Sequence, residues 1–328
     1  MPTLKDDIET SSHITENIEL QVPILSSPMD KVTGSEMSIV MAREGALGVI
    51  HRNLDVKGHI DMVKRSENWI IRELYTVTPN IKVPLLDEEN RLQVLITVRD
   101  IEKKKQHPEA TLDENGQLMV AAAVGPGGSG RIERLVDAGI DLIVVDTAHG
   151  NPKDVIDATE EINGSFDVDI MAGNIASQEG ARALIKAGAG SLRVGIIPGS
   201  ICTTRIVSGI GVPQITAIMN VFKEARDEDV SSIADGGIIY RGDAAKALAC
   251  GAGAIIIGNM LAGTEEAPGR FVFRGGRKYK EYREMASISA LEKREKNRYD
   301  QDFERREEYV PEVVEGLVPY KDRRDARR

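Results

Sequence analysis

Two cysteines in 328 residues, Cys202 and Cys250, are too few for a disulfide framework, and no CxxC or HxxxH spacing surrounds them to suggest structural zinc. Long hydrophobic runs are lacking as well: none is long enough to span a bilayer, and no signal-peptide pattern opens the chain. A reduced, cytoplasmic setting without membrane partners is the expectation. Positive charge is the third shortage. Against 52 Asp and Glu stand 42 Lys and Arg, a net charge of −10, so there is no clustered basic surface to meet a phosphate backbone and a nucleic-acid partner is excluded. Any anion this protein binds must be met locally. Aromatic residues are few, but the apolar content is ordinary and the length suffices for a full-sized core.

What is present is a rhythm. Short, apolar, β-rich runs at 22–27, 47–51, 118–125, 142–147, 169–174, 191–195, 231–235 and 254–258 alternate with amphipathic stretches such as 131–138, 152–162, 179–187, 214–225 and 244–249. Many of the latter end in Ala-Gly, a helix stop. Near-continuous apolar strands, each followed by a helix, imply parallel strands covered by helices. Eight such units predict an α/β fold of the (β/α)8 TIM-barrel class, with the active site at the C-terminal ends of the strands. Residues 1–21 are polar and read as a surface lead-in. The rhythm breaks at 79–115, where a strand, a polar turn, a second strand and a Lys-rich helix are expected. The barrel is therefore divided into 1–78 and 116–328 around this short insertion after strand two, with a charged stretch at 288–310 after strand eight.

Gly125-Pro-Gly-Gly-Ser-Gly130 matches the GxGxxG spacing of a dinucleotide-binding turn. It belongs to the third of eight similar units, however, and a proline follows its first glycine, so it reads as a strand-end loop. The chemically distinctive stretch is Arg193-Val-Gly-Ile-Ile-Pro-Gly-Ser-Ile-Cys-Thr-Thr-Arg205. Here an apolar strand runs into a turn that presents Cys202 beside Ser200 and Thr204, an arrangement that suits a covalent thiol nucleophile next to an anion. Cys250, within Ala-Leu-Ala-Cys-Gly-Ala-Gly, reads instead as packing at a helix end. Strands seven and eight end in Ala234-Asp-Gly-Gly-Ile238 and Gly258-Asn-Met-Leu-Ala-Gly-Thr264, the barrel quadrant in which glycine loops recurrently hold phosphate.

These segments resemble the IMP dehydrogenase / GMP reductase family, whose catalytic loop is Gly-x-Gly-Pro-Gly-Ser-Ile-Cys-Thr-Thr; Ile197 stands where that family usually has glycine. The resemblance covers nearly all of residues 7–321. It implies oxidation of IMP by NAD, with Cys202 as nucleophile. Ser200, Gly236, Gly237, Gly258 and Asn259 would hold the 5′-phosphate and Asp235 the ribose. Ser27 and Met29, from Ser27-Pro-Met-Asp30, would line the nucleotide pocket, and Tyr282, Arg283, Glu284, Met285 and Ala286 would read the base, with Glu284 and Ala286 in place of two glycines. Asp146 would meet the nicotinamide ribose of NAD, with Asn174, Gly195, Ile196 and Ile197 completing that site; the residue-level alternative for Asp146 is a cap on the next helix.

Asn297-Arg-Tyr-Asp-Gln301 resembles the family's mobile flap, which assigns Arg298 and Tyr299 to water activation, with Thr204 and Glu312 as a second route. The insertion resembles a remnant of the family's regulatory domain. The resemblance also implies a homotetramer, and a potassium ion on the main-chain carbonyls of Ile197, Gly199 and Cys202 completed by a neighbour's C-terminal segment. That segment has no counterpart after Tyr320, so potassium is expected to bind weakly. GMP reductase shares Cys202, Thr204 and Glu312 but needs no hydrolytic flap. A non-catalytic purine-nucleotide-binding relative is the third reading, because the family's opening Asp-Asp-Val pattern is also missing.

Overall fold

The computed structural model describes residues 9–67, 83–86, 92–96, 105–283, 285, 287 and 315–321. Eight parallel strands close into a barrel: β1 (Ile24–Ser26), β2 (Leu47–Ile50), β3 (Ala121–Val124), β4 (Leu142–Asp146), β5 (Asp169–Ile175), β6 (Ser191–Val194), β7 (Ser231–Asp235) and β8 (Ala254–Ile257). Each pairs with its sequence neighbours, and β8 returns to β1 through Ile255↔Ile24 and Ile257↔Ser26. Helices of eight or more residues follow the first seven: α1 (Ser35–Arg43), α2 (Val56–Glu67), α3 (Ser129–Val136), α4 (Lys153–Ser165), α5 (Gln178–Lys186), α6 (Gln214–Ala225) and α7 (Arg241–Ala249).

Strand alternation explains why the runs look continuously apolar. Ala121, Ala123, Leu142, Val144, Met171, Ala254 and Ile256 pack in the barrel interior. The intervening Ala122, Val124, Ile143, Val145, Ile170, Ala172, Ile255 and Ile257 pack under the helices. With successive side chains on opposite faces and both faces covered, most positions along each strand are apolar. Among the described residues no helix is long and apolar enough to cross a membrane.

The N-terminal segment corrects the sequence reading. Ser12–His13 and Glu19–Leu20 pair antiparallel, and Ile14, Ile18 and Leu20, at 0%, 2% and 0% exposure, pack against the barrel interior rather than lying on the surface. Thr15 and Asn17 fasten this hairpin by donating to the two carboxylate oxygens of Asp169, at 2.6 and 3.0 Å. Three apolar residues scattered among polar ones have no strand or helix period, which is why the plug was not visible.

The insertion contains the expected hairpin, Val83–Leu86 antiparallel to Leu92–Ile96; the rest of the expected helix lies outside the described residues. After β8 a three-stranded antiparallel sheet forms from Phe271–Arg274, Arg277–Arg283 and Glu315–Pro319. The buried Lys280 anchors it, donating to the carbonyls of Glu265, at 3.0 Å, and Ala267. Burial pushes that ammonium below its usual pKa.

Candidate active site

The ends of β6, β7 and β8 form one side of the barrel mouth, and sterics dictate their loops. Gly195 lies at φ +147°, and a Cβ there would come within 2.2 Å of the Asp235 carbonyl. Gly236, at φ +86°, leaves no room for a side chain either, because a Cβ would meet Pro198 at 2.7 Å. The loop after β6 is thereby packed directly on the Asp235-Gly236-Gly237 turn. Gln214 ties the same strands together by donating to the carbonyls of Val194, at 2.8 Å, and Asp235, at 3.1 Å.

Cys202 emerges from this loop as a half-buried thiol outside any disulfide. Its Sγ donates to Thr204 Oγ1 at 3.3 Å, and its N–H to the Gly199 carbonyl at 3.2 Å. The neighbouring Ile201 packs with Met29, Val32, Ala262 and Tyr282, linking the thiol loop to the first and last strands. Cys250 sits at the end of α7, packed against the helix-layer core, as its sequence context suggested.

A second group of expected residues converges on Gly258. A Cβ at that position would meet Tyr282 Oη at 3.1 Å, Met29 Sδ at 3.4 Å and Ser27 Cβ at 3.5 Å, so the ends of β1 and β8 and the strand Arg277–Arg283 border one space. Asn259 opens a short helix, Asn259–Ala262, there. Arg283 directs its side chain away to Asp30, donating through Nε at 3.1 Å and through a second nitrogen, with both side chains 9% exposed. Asn53 donates to the same carboxylate at 3.1 Å. Burial alone would raise the Asp30 pKa, but the hydrogen bond and charge of Arg283 outweigh it and hold the carboxyl below its usual range. The Asp30 N–H also contacts Met285 Sδ, at 3.4 Å.

The third group is an ionic network that sequence reading found only in part. Asp146, ending β4, pairs through Oδ1 with Arg193 of β6 and through Oδ2 with Arg52 Nε at 3.3 Å. The N-cap position of the helix that follows belongs to Pro152, without a side-chain cap hydrogen bond. Asn174 donates to Asp235 Oδ2 at 2.7 Å and to the Gly195 carbonyl at 2.9 Å. Arg193 Nε lies 3.0 Å from that same oxygen. Among the described residues no donor is paired with Asp235 Oδ1, which leaves one oxygen of this strand-end carboxylate uncommitted. Burial would lower the Arg193 pKa, but Asp235 and Asp146 overcome it and keep the guanidinium firmly charged. Arg52 and Arg193 could not be singled out in the sequence, since an arginine within or after a strand carries no signal until its partners are known.

Ile197 keeps φ at +61° despite its branched side chain, so the substitution for glycine leaves a left-handed backbone in place. A potassium ion on this loop alone is a poor fit. One of the three carbonyls offered, that of Gly199, already accepts the Cys202 N–H, and bare carbonyl sites need a fuller ring of oxygens. Among the described residues no group of three or more His, Cys, Asp or Glu side chains is arranged to hold a metal. Glu284, Ala286, Arg298, Tyr299 and Glu312 lie outside the described residues.

A closed (β/α)8 barrel whose C-terminal mouth joins a thiol, glycine turns at strands seven and eight, and a fixed set of part-buried carboxylates is the frame of a barrel enzyme. The family model for the IMP dehydrogenase / GMP reductase domain matches residues 2–325. The chain belongs to that family of oxidoreductases. Inosine-5′-monophosphate dehydrogenase of Aquifex aeolicus is 40% identical over 403 aligned positions, spanning 97% of this chain and 82% of the relative. The Bacillus subtilis protein of the same name is 38% identical, again over 97% and 82%. That of Rhodopirellula baltica is 39% identical over 96% and 74%. Both 403 and 402 aligned positions exceed the 328 residues of this chain, so those relatives carry internal sequence that it lacks.

Proposed function

We propose that this chain oxidises IMP to XMP with NAD, a step toward guanine nucleotides. The observation that carries the reading is the Cys202–Thr204 pair, held on a loop packed against the Asp235-Gly236-Gly237 turn. In this reading the 5′-phosphate lies against the backbone N–H groups of Ser200, Gly236, Gly237, Gly258 and Asn259. Asp235 accepts from the ribose hydroxyls through Oδ1, and Ser27, Met29 and the strand ending at Tyr282 border the base. The sulfur of Cys202 bonds to C2 of the hypoxanthine ring, and its thiol proton is lost through the hydrogen bond to Thr204. The C2 hydrogen departs with its electron pair; NAD, bound beside Asp146 and Asn174, supplies the acceptor. Water then replaces sulfur at C2, releasing XMP and regenerating the thiol, so that IMP, NAD and water give XMP, NADH and one proton. Arg298 and Tyr299 are assigned to activating that water, with Thr204 and Glu312 as the second route.

The proposed setting is the cytoplasm and the proposed assembly a homotetramer. No step is routed through potassium. The test is incubation with IMP and NAD, scored for NADH and XMP, with GMP and NADPH in parallel. NADH and XMP in equal amounts are expected. Consumption of NADPH with GMP alone would make the chain a reductase, and saturable IMP binding without either reaction would make it a non-catalytic relative.

A further inference from the structure

Arg193 stands between two carboxylates that the reading above gives to different ligands, Asp146 to the dinucleotide and Asp235 to the mononucleotide. Its side chain is 7% exposed, and among the described residues its side-chain polar contacts are with these two groups. The contacts are unequal. The terminal nitrogen donates directly to Asp146 Oδ1. Nε approaches Asp235 Oδ2 at 3.0 Å with its N–H poorly aligned on that oxygen, so this contact is mainly charge attraction and is the less directed of the two. Asn174 occupies the same oxygen at 2.7 Å. Asp146 is also held from its other side by Arg52.

We infer that Arg193 is a positioning residue that couples the two ribose carboxylates, so that the state of the dinucleotide side is felt at the mononucleotide side. Its fork is anchored on Asp146, and that anchor keeps Nε from turning fully onto Asp235. Releasing the anchor lets the guanidinium close on Asp235 and compete with the ribose hydroxyls for the carboxylate. A buried guanidinium left with one partner gains most by completing its hydrogen bonds there. Asp146 thereby influences a ligand it does not touch, and only through Arg193. The inference rests on the assignment of Asp235 to the ribose of IMP.

The test is a double-mutant cycle on IMP affinity alone, measured by calorimetry with no dinucleotide present. In the Arg193 background, Asp146→Asn is expected to raise the IMP Kd about 5-fold, within the usual range for directly coupled neighbours. In an Arg193→Met background the same change is expected to do nothing measurable. Arg193→Gln provides the second background: its neutral amide carries no charge to close on Asp235 when Asp146 is changed, so the effect of Asp146→Asn should vanish there too. Thermal melts identify any variant that fails to fold, and if Arg193→Met does so, the Gln background decides. An equal effect of Asp146→Asn in every folded background, or none in the Arg193 background, would overturn the coupling while leaving the function intact. Failure of the unmutated chain to bind IMP would overturn the functional reading and this inference with it.

Discussion

Ile197 shows how a single residue can depart from a family pattern without moving the backbone. At φ +61° a β-branched side chain carries a steric cost of about 1–2 kcal/mol that glycine would not. Against this, its side chain is part-buried against the helix-layer core, and glycine would add roughly 0.5–1 kcal/mol of chain entropy to be lost on folding. These terms nearly cancel. Ile197→Gly is therefore expected to change unfolding free energy by less than about 1 kcal/mol in urea titrations. A buried isoleucine in ordinary β geometry would cost several times more on truncation, so a loss of about 3 kcal/mol would show that packing, not backbone strain, dominates here. The residue scale is also where the sequence was least legible. Cys202, Thr204 and Asp235 announced themselves by their turns, whereas Arg52, Arg193 and the Asp30–Arg283 pair exist as features only once distant strands meet.

At the scale of elements, all eight barrel strands were legible because parallel strands covered on both faces leave a continuous apolar run bounded by helix stops. The N-terminal plug and the sheet Phe271–Arg274, Arg277–Arg283, Glu315–Pro319 were not. The former has too few apolar residues to show a period, and the latter alternates Phe271 and Phe273 with Val272 and Arg274 beside charged neighbours that mask the pattern. One junction of elements carries a pH consequence. Glu67 ends α2 and Asp141 precedes β4; burial first raises both carboxyl pKa values to about 7, with the charge of Asp113 adding to it at Glu67 and the charges of Asp113 and Glu67 adding to it at Asp141. Lys64 on α2 moderates Glu67, and the Val120 N–H donates to Asp141 at 2.7 Å. Folded pKa values above the unfolded ones mean that the folded state binds these protons more tightly. Their contribution to stability is fully present below the unfolded pKa and is lost as pH rises through about 7. The melting temperature is expected to fall by a few degrees between pH 6 and pH 8, and Glu67→Gln with Asp141→Asn should flatten that slope. An unchanged slope in the double variant would assign the pH dependence to other groups.

For the whole molecule, the barrel gathers residues from β1, β4, β5, β6, β7 and β8 at one mouth while the chain's net charge stays at −10. Arg52 and Arg193 are already matched to Asp146 and Asp235, Arg283 to Asp30, and Arg205 of the thiol loop is turned onto the carbonyls of Ile196 and Val212. In the proposed reading, the phosphate is therefore met by backbone N–H groups of the glycine turns, and the ribose by the second oxygen of Asp235. This division of labour leaves the chemistry to the thiol, and the central proposal is that Cys202 bonds covalently to the purine. The most direct measurement is an acid quench milliseconds after mixing the enzyme with isotopically labelled IMP and NAD, followed by peptide mapping. Label on the peptide containing Cys202, absent from that containing Cys250 and absent when NAD is omitted, is the predicted result. Turnover to XMP with no label on Cys202 at any quench time, or label on Cys250, would contradict the account.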